Sequence, residues 1–299
     1  MIQNILTIPR IVISDANAFS SPFTVGFPAM TAWLGAVHAL QRKFTDTKFS
    51  KFNALRVGVV SHQFKLRAHR SGYVTSLIGE RHPLKKDGNS PSFVEEPKCH
   101  LTISLVIEFS GVSAVEHDEF LDSVYAELLK MRMAGGVIQK LGKPKIAKLD
   151  KTSDNYPGEA KRLQASLMPG YALLERSDLM IEAMREGKDA LEAVLDAVSV
   201  TQKCSTLPNE DKPHEKVAWD KGSRKYKGWI VPIATGFHAL TEPATALNQR
   251  DPETPHRFAE AVVTLGEFKM PHRLSSVDDI LWHYHFDSEN NLYTCKQTN

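Results

Sequence analysis

The sequence predicts an α+β protein built on a ferredoxin-like sheet. In its first half, segments with strand and helix patterns follow one another as strand, helix, strand, strand, helix, and a glycine turn then leads into a fourth strand-like segment. That order is typical of the ferredoxin-like fold. The 299 residues are enough for one large domain or two. We expect residues 1–150 to form this sheet, and residues 151–299 to add helices, a basic loop and C-terminal strands that complete it.

The first strand and helix are predicted from residue type and spacing. Residues 5–14 are rich in β-branched side chains, which predicts a buried strand, and Pro9 within it predicts a bulge or an edge position. Pro28 suits the first turn of a helix, and apolar residues follow it at helical spacing as far as Phe44. A strand, a turn and a helix therefore begin the fold.

Two further strands and a second helix follow. Residues 56–66 have a strand pattern, and apolar residues alternate strictly through 100–109, which predicts a strand with one buried face. A helix is predicted over 116–133, because its apolar residues form one stripe and its acidic residues occupy the first turns. A glycine pair ends this helix, and a fourth strand is predicted over 137–149.

The second half has a different pattern. Helical spacing recurs in residues 179–184 and 189–198, whereas residues 202–228 are polar and basic and are predicted to form a loop. Strand-like sequence returns in three segments, at 229–236, 259–268 and 281–286.

Composition excludes several classes of protein. The chain lacks an apolar run of about 18 residues and a secretion leader pattern, so we expect no membrane span and no export. Its three cysteines are far apart and lack CxxC spacing, which predicts a reducing, cytoplasmic setting without a disulfide framework or zinc ribbon. A P-loop and a dinucleotide fingerprint are also absent, so no cofactor is expected. The histidines at 272, 283 and 285 lack a metal-binding motif, so no metal site is expected.

Basic residues are concentrated in three runs, although the net charge is only +2. Cations and aromatic side chains together suit a nucleic acid, because cations neutralise phosphates and rings stack on unpaired bases. A solvated surface is the alternative. The first run lies in the long segment between the second and third strands and contains Lys65, Arg67, Arg70, Arg81, Lys85 and Lys86, near Phe64 and Tyr73. The others are Lys140–Lys151 and Lys212–Lys227, the latter with Trp219, Tyr226 and Trp229.

The segment between the first strand and the first helix is a second candidate site. It carries short hydrogen-bonding side chains just before a helix N-terminus, which suits an anion. The alternative is that these side chains only cap the helix and shape turns. The residues are Asn17, Ser20, Ser21 and Thr24, beside Gly26.

His38 is the candidate catalyst. It lies one helical turn before Arg42, so the imidazole and guanidinium can share a helix face. A histidine beside a cation could act as general acid or base in metal-independent RNA cleavage through the 2′-OH. Packing at the sheet edge, or a hydrogen bond to a phosphate, is the alternative role for His38.

Several long motifs together resemble a known family. They are NAFSSPFTVGFPAMTAWLGAVHALQRKF, VGVVSHQF, EEPKCHLTISLVIEF, RMAGG and HRLSSVDDILWHYHF. In this order they resemble the Cas-five group of the RAMP superfamily, in particular the type I-F CRISPR surveillance (Csy) complex subunits that hold the 5′ handle of the guide RNA (crRNA). The resemblance covers nearly the whole chain.

The resemblance implies an RNA-recognition-motif (RRM) type palm, with a thumb hairpin inserted at about 65–100 and additional helical elements. Its implied partners are the crRNA 5′ handle, the large subunit and the first repeated backbone subunit of the complex. Target DNA is a further candidate partner for the basic run at 212–227. The resemblance also implies a non-catalytic subunit, because other proteins cut the precursor RNA and the target. A crRNA-processing endoribonuclease using His38, and a protein-binding adaptor, remain as alternatives.

The resemblance also assigns RNA-binding residues, and no catalytic or metal-binding ones. The motif before the first helix is expected to bind handle phosphates through Asn17, Ser20, Ser21, Thr24 and Gly26, with Arg42 on the helix behind it. Arg67 and Arg70 lie in the thumb, and Gly135 and Gly136 correspond to the glycine-rich loop of the superfamily. Three residues of HRLSSVDD either contact RNA or brace the palm: Arg273, Ser275 and Ser276.

Overall fold

A computed structural model describes residues 2–79, 84–90, 96–207, 216–220, 222–249, 251 and 253–297. Within these residues the protein is a mixed α/β structure with an 11-stranded antiparallel sheet, three two-stranded sheets and five α-helices. The helices are α1 (Met30–Lys43), α2 (His117–Leu128), α3 (Tyr156–Ser166), α4 (Ser177–Arg185) and α5 (Ala190–Val198). No helix in the described ranges is long and apolar enough to cross a membrane.

Seventeen strands are present in the described residues, and the predicted first, second and third strands are confirmed among them. They are β1 (Ile2–Asn17), β2 (Phe19–Ser21), β3 (Thr24–Val25), β4 (Asn53–Leu66), β5 (Ala68–Ser71), β6 (Val74–Leu77), β7 (Lys98–Ser110), β8 (Arg132–Met133), β9 (Gly136–Lys140), β10 (Lys145–Asp150), β11 (Tyr171–Glu175), β12 (Lys203–Leu207), β13 (Lys216–Asp220), β14 (Trp229–Ala239), β15 (Ala259–Lys269), β16 (Trp282–Asp287) and β17 (Leu292–Gln297).

The strands of the first half lie in the order β4–β7–β1–β9, with every neighbouring pair antiparallel. Both α1 and α2 pack on one face of these strands, where their apolar stripes join a single core with β1 and β7. Phe120 of α2 is fully buried there, with its ring centroid 4.9 Å from Phe52 and 5.6 Å from Phe44. Burial of a phenylalanine of this kind stabilises a fold by about 1.5–3 kcal/mol.

The opposite face of these strands is covered at one end only. There α3 places Leu163 in a second core with Ile5 and Val106. Further along the strands the same face carries polar side chains, because residues paired across a sheet project on the same side. Thr102 of β7 lies opposite Val12 and Gln63 in this region. Among the described residues, this part of the face is therefore partly exposed toward the ends of β1 and β4.

Two β-bulges bend β1. The pairing with β7 shifts between Ile8 and Ile11, as Pro9 predicts, and the next residue, Arg10, has a φ of 54°. The amide of Gly142 donates to the Pro9 carbonyl at 2.8 Å, and this contact separates β9 from β10. The single strand predicted over 137–149 is therefore wrong, since the chain forms two strands that both pair with β1.

Six strands close into a ring. β4 pairs with β11 through Ser61 and Tyr171, and with β16 through Val57 and Trp282. β15, β14 and β17 connect β11 to β16 by further antiparallel pairs. Trp282 is fully buried in the main core, and its indole N–H donates to the Leu173 carbonyl at 3.0 Å. β4 thus belongs both to the ring and to the strands that carry α1 and α2.

Three predicted segments differ from the structure. The second helix ends at Leu128 rather than 133, because the chain turns into the β8–β9 hairpin, whose turn residues Ala134 and Gly135 both have positive φ. The predicted loop at 202–228 contains the β12–β13 hairpin. The β5–β6 hairpin occupies part of the segment predicted as a thumb, and all eight of its strand residues are exposed. Three of the predicted basic residues, Arg81, Lys212 and Lys221, lie outside the described residues.

Candidate nucleic-acid interface

A groove of about 670 Å³ brings together residues from three distant parts of the sequence. Asn17 and Ser20 line it from the segment after β1, and Gly135 and Arg132 line it from the β8–β9 hairpin. Phe237 of β14 also lines the groove, and α1 with the residue before it contributes small residues: Ala29, Thr31, Ala32, Gly35, Ala36 and Ala39. The two motifs singled out from the sequence, NAFSSPFTVGFPA and RMAGG, therefore form one surface.

The glycine turn lies tightly against the end of β1. The Asn17 amide donates to the Ala134 carbonyl at 2.8 Å. A Cβ atom on Gly136 would lie 2.6 Å from both Ile13 Cγ2 and the Ser14 carbonyl oxygen, so only glycine allows this approach. Gly136 thus shapes the groove from behind, whereas Gly135 lines it.

The hydroxyl groups of the turn before α1 bond mainly to one another. Ser21 Oγ lies 2.7 Å from Thr24 Oγ1, and both side chains are buried. Ser20 Oγ is 3.3 Å from the same Thr24 oxygen, at the wall of the groove. Asn17 Nδ2 donates to the Phe19 carbonyl at 3.0 Å. The side chains of Ser21 and Thr24 therefore have the turn-shaping role that was the alternative to phosphate contact, and the groove is left with Asn17, Ser20 and the backbone.

The N-terminus of α1 contributes positive potential to the groove. The helix begins after Ala29, which provides no side-chain cap, and its first turn contains no acidic residue. The Ala32 amide donates to the Ala29 carbonyl at 3.0 Å, and the helix dipole favours an anion beside the N-terminal turn. Thr31 and Ala32 of this turn line the groove.

His38 and Arg42 lie elsewhere on α1. His38 is exposed and lines a separate cleft of about 290 Å³ with Asn53, Tyr284 and Tyr293. Arg42 is also exposed, in the last turn of the helix. Neither side chain lines the groove that contains Asn17 and Gly135.

The two thumb arginines differ in their contacts. Arg67 Nη1 lies 3.0 Å from Asp15 Oδ1, and its backbone joins the base of the β5–β6 hairpin to Lys98 of β7. Arg70 projects from the hairpin, where its Nε donates to the Gly72 carbonyl at 3.2 Å. Arg67 therefore fixes the base of the hairpin to the sheet, while Arg70 remains on its exposed surface.

The HRLSSVDD motif bonds internally and to the sheet. Both Ser275 and Ser276 donate their backbone amides to Asp279 Oδ2 at 3.0 Å, and the Ser276 hydroxyl donates to Asp278 at 3.1 Å. Asp278 in turn accepts from Arg56 at 2.5 Å and Lys151 at 2.6 Å. These contacts correspond to the bracing role that the sequence left open, whereas Arg273 is exposed and its side chain forms no such bond within the described part of the chain.

Other polar residues lie beside this interface, among them Lys65 of the first predicted basic run. His62 Nε2 lies 2.6 Å from the buried Ser104 Oγ and its Nδ1 lies 2.6 Å from the Pro169 carbonyl, on the face of the sheet opposite α1 and α2. Burial lowers the pKa of His62, so the ring is neutral near pH 7. His100 and Lys65 pair across β7 and β4 on the same face. The alternation of polar and apolar residues in HLTISLVIEF is the signal that identifies this face.

The histidines near the C-terminus do not form a metal centre in the structure as described. No group of three or more His, Cys, Asp or Glu residues in the described ranges is arranged to hold a metal ion. His283 and His285 lie on β16, and the Asp278 carboxylate forms ion pairs with Arg56 and Lys151.

Comparison with known proteins places nearly the whole chain in one family. The family model for the CRISPR-associated protein Csy2 matches residues 6–295. The CRISPR-associated protein Csy2 of Pseudomonas aeruginosa (strain UCBPP-PA14) is 33% identical over 312 residues, an alignment that covers 97% of this chain and 94% of the relative. With a match over this length and at this identity, the chain belongs to the Csy2 family of CRISPR-associated proteins.

Proposed function

We propose that the protein is a subunit of a type I-F CRISPR surveillance complex and that it binds the 5′ handle of the crRNA. One observation carries the proposal: the groove joins the turn after β1, the β8–β9 glycine turn and the uncapped N-terminus of α1. Backbone amides and a helix N-terminus favour phosphate oxygens. Family membership supports a place in a CRISPR complex.

The four strands that carry α1 and α2 are proposed to be an RRM-type, ferredoxin-like palm. Their order, β4–β7–β1–β9, and the position of both helices on one face support this assignment. The exposed β5–β6 hairpin supports the proposed thumb, since it extends from the end of β4 and all of its strand residues face solvent. Arg70 on this hairpin is then the thumb residue best placed for an RNA phosphate.

The residues of the groove suit backbone recognition of single-stranded RNA. Arg132 supplies a cation, Asn17 and Ser20 supply short hydrogen-bonding groups, and the small side chains of α1 let a ribose-phosphate chain approach closely. Because such contacts release counterions, affinity for the handle falls steeply as the salt concentration rises.

The proposed partners follow from the place of such a subunit in the complex. They are the crRNA 5′ handle, the large subunit and the first repeated backbone subunit, with target DNA at the β12–β13 hairpin and its basic flanks. We assign no catalytic step to this chain, in keeping with its family, and place its work in the cytoplasm, where crRNA is available. His38 supports no step here, because it lies outside the groove.

A binding experiment tests the proposal. The purified chain, alone and with its large-subunit partner, is titrated with end-labelled RNA with and without the handle at several salt concentrations. Arg132→Ala should weaken handle binding and reduce the salt slope by about one, as expected for one lost phosphate contact. Arg185→Ala, an exposed arginine on α4, is the matched control.

Three outcomes contradict the proposal. Equal affinity for RNA with and without the handle would show that the chain does not recognise the handle. If neither RNA binds even with the partner present, the remaining hypothesis is a protein-binding adaptor. An assembly that contains such an adaptor should also survive digestion of its RNA. If Arg132→Ala leaves the salt dependence of RNA affinity unchanged, the groove is not the binding site.

A further inference from the structure

Another cavity, of about 240 Å³, is lined by aromatic rings. Four strands of the ring supply Phe64, Tyr171, Trp229 and Phe268, and Phe27 comes from the segment just before α1. None of the residues that line this aromatic pocket carries a charge. The pocket therefore suits a neutral, flat group rather than a phosphate.

The rings of the aromatic pocket contact one another at angles that leave a gap between them. The Phe268 centroid lies 5.3 Å from Phe27 in an edge-to-face contact and 5.2 Å from Trp229 in a tilted one. Tyr171 and Trp229 meet edge to face at 5.2 Å. Such contacts hold the rings in place, since aromatic pairs of this geometry contribute about 0.5–1.5 kcal/mol beyond their buried area.

The exposure of two rings distinguishes the pocket from an ordinary core. Trp229 is 51% exposed and Phe64 is 41% exposed, whereas Phe27 at the base is 9% exposed. A tryptophan that serves only packing normally buries most of its surface. Trp229 and Phe64 thus leave ring surface exposed at a cavity that the described residues do not fill.

One short segment of the chain contributes to both the aromatic pocket and the proposed RNA groove. Asn17 and Ser20 line the groove, and Val25 and Gly26, a few residues later, line the aromatic pocket. The two cavities thus lie on either side of the turn that carries the proposed phosphate contacts.

We propose that the aromatic pocket takes one unstacked base of the RNA whose backbone lies in the groove; this inference rests on the proposed function. Single-stranded RNA is commonly held by stacking splayed bases on aromatic side chains. The volume is below the range for drug-sized ligands, which suits a single heterocycle. Ser61, a buried residue in the lining, and Trp229 supply polar groups that can bond to the edge of a base.

Substitution at Trp229 tests the stacking contact. Trp229→Ala should weaken handle RNA binding about tenfold, because base stacking contributes about 1–3 kcal/mol. Trp229→Phe keeps a ring at this position and should retain most of the affinity. Phe286→Ala, which removes a largely exposed ring on β16, is the matched control and should bind as wild type.

Modified RNA tests the same contact with the pocket intact. The handle RNA is made with one abasic nucleotide at each position in turn, and the emission of Trp229 is followed in a Trp219→Phe background. Trp33 and Trp282 are fully buried, so Trp229 is then the exposed tryptophan. Handle RNA should quench the emission, and one abasic position should abolish the quenching and reproduce the loss of affinity.

The outcomes separate this inference from the proposed function. If intact handle RNA binds, yet no abasic position lowers affinity and Trp229 emission is unchanged, the pocket proposal is overturned and the function stands. If Trp229 emission responds to the large subunit and not to RNA, the pocket binds a protein side chain and the proposal is again overturned. If no handle RNA binds, the proposed function fails, and the inference fails with it.

Discussion

Replacing Asp278 with asparagine should destabilise the fold without altering the groove. The Asp278 carboxylate accepts hydrogen bonds from Gln3 at 3.1 Å, Arg56 at 2.5 Å and Lys151 at 2.6 Å. These partners belong to β1, β4 and the segment after β10, so one side chain joins the HRLSSVDD motif to three parts of the sheet and its surroundings. Asparagine keeps the shape of the side chain and removes its charge.

The size of the effect follows from the pKa of Asp278. Burial alone raises this pKa, but the hydrogen bonds from Lys151 and Arg56 outweigh burial and hold the pKa at about 2, below the ordinary value of 3.8. A difference of this size corresponds to about 2 kcal/mol. Since the side chain is 26% exposed, solvent screening reduces the expected loss in Asp278→Asn to about 1–2 kcal/mol.

The same argument fixes the pH dependence. The contribution of Asp278 is present above the unfolded pKa and is lost as the pH falls through the folded pKa of about 2. The difference in unfolding free energy between wild type and Asp278→Asn should therefore be largest near neutral pH. At about pH 3 it should fall to roughly half, because the carboxyl group then binds protons more readily in the unfolded chain.

Urea denaturation of the purified chain at about pH 6 and about pH 3 measures both effects. Asp154→Asn is the matched control, because Asp154 is exposed and lies outside the ion-pair network. Equal midpoints for wild type and Asp278→Asn at pH 6 would refute the reasoning, as would a difference that grows on acidification. Handle RNA binding should be unchanged in Asp278→Asn wherever it remains folded.

Three further predictions concern single positions. Gly136→Ala should destabilise the protein by about 1–3 kcal/mol in urea, because its Cβ would overlap Ile13 and Ser14, whereas Gly26→Ala meets no atom within 4 Å and should change stability little. An alkylating reagent should modify Cys204 alone in the folded chain, as counted by intact mass, since Cys204 is exposed and burial raises the pKa of the other two thiols to about 12. His38→Ala and wild type should leave a repeat-containing RNA equally intact on a denaturing gel; cleavage by wild type alone would restore the endoribonuclease hypothesis.

The strands of the first half could be predicted because one of their faces is buried. The alternation from Leu101 to Phe109 requires a strand with one face in the core, and β7 has that register. Pro9 likewise predicts the bulge in β1. The break between β9 and β10 could not be predicted, because it depends on the contact of Gly142 with Pro9, more than a hundred residues away in sequence.

Short polar strands were missed for a related reason. β17 and β12 have little apolar periodicity, and their structure depends on neighbours that local sequence does not reveal. The candidate site was predictable as a set of motifs but not as a set of contacts. Asn17 and Gly135 do line one groove. Ser21 and Thr24 form a buried hydrogen-bonded pair, but the sequence alone does not distinguish them from exposed hydroxyl side chains that could bind a phosphate.

The closed ring of strands has a consequence for synthesis of the chain. β4 is made early, but the strands that occupy its second edge begin at Tyr171 and Trp282. While the ribosome is still translating, that edge lacks its partners, and an unpaired edge is a template for association with other chains. A truncated chain that stops before β16 leaves the ring open. Ring closure therefore requires β16 and β17, and the unpaired edge of β4 needs protection from aggregation until these strands have emerged from the ribosome.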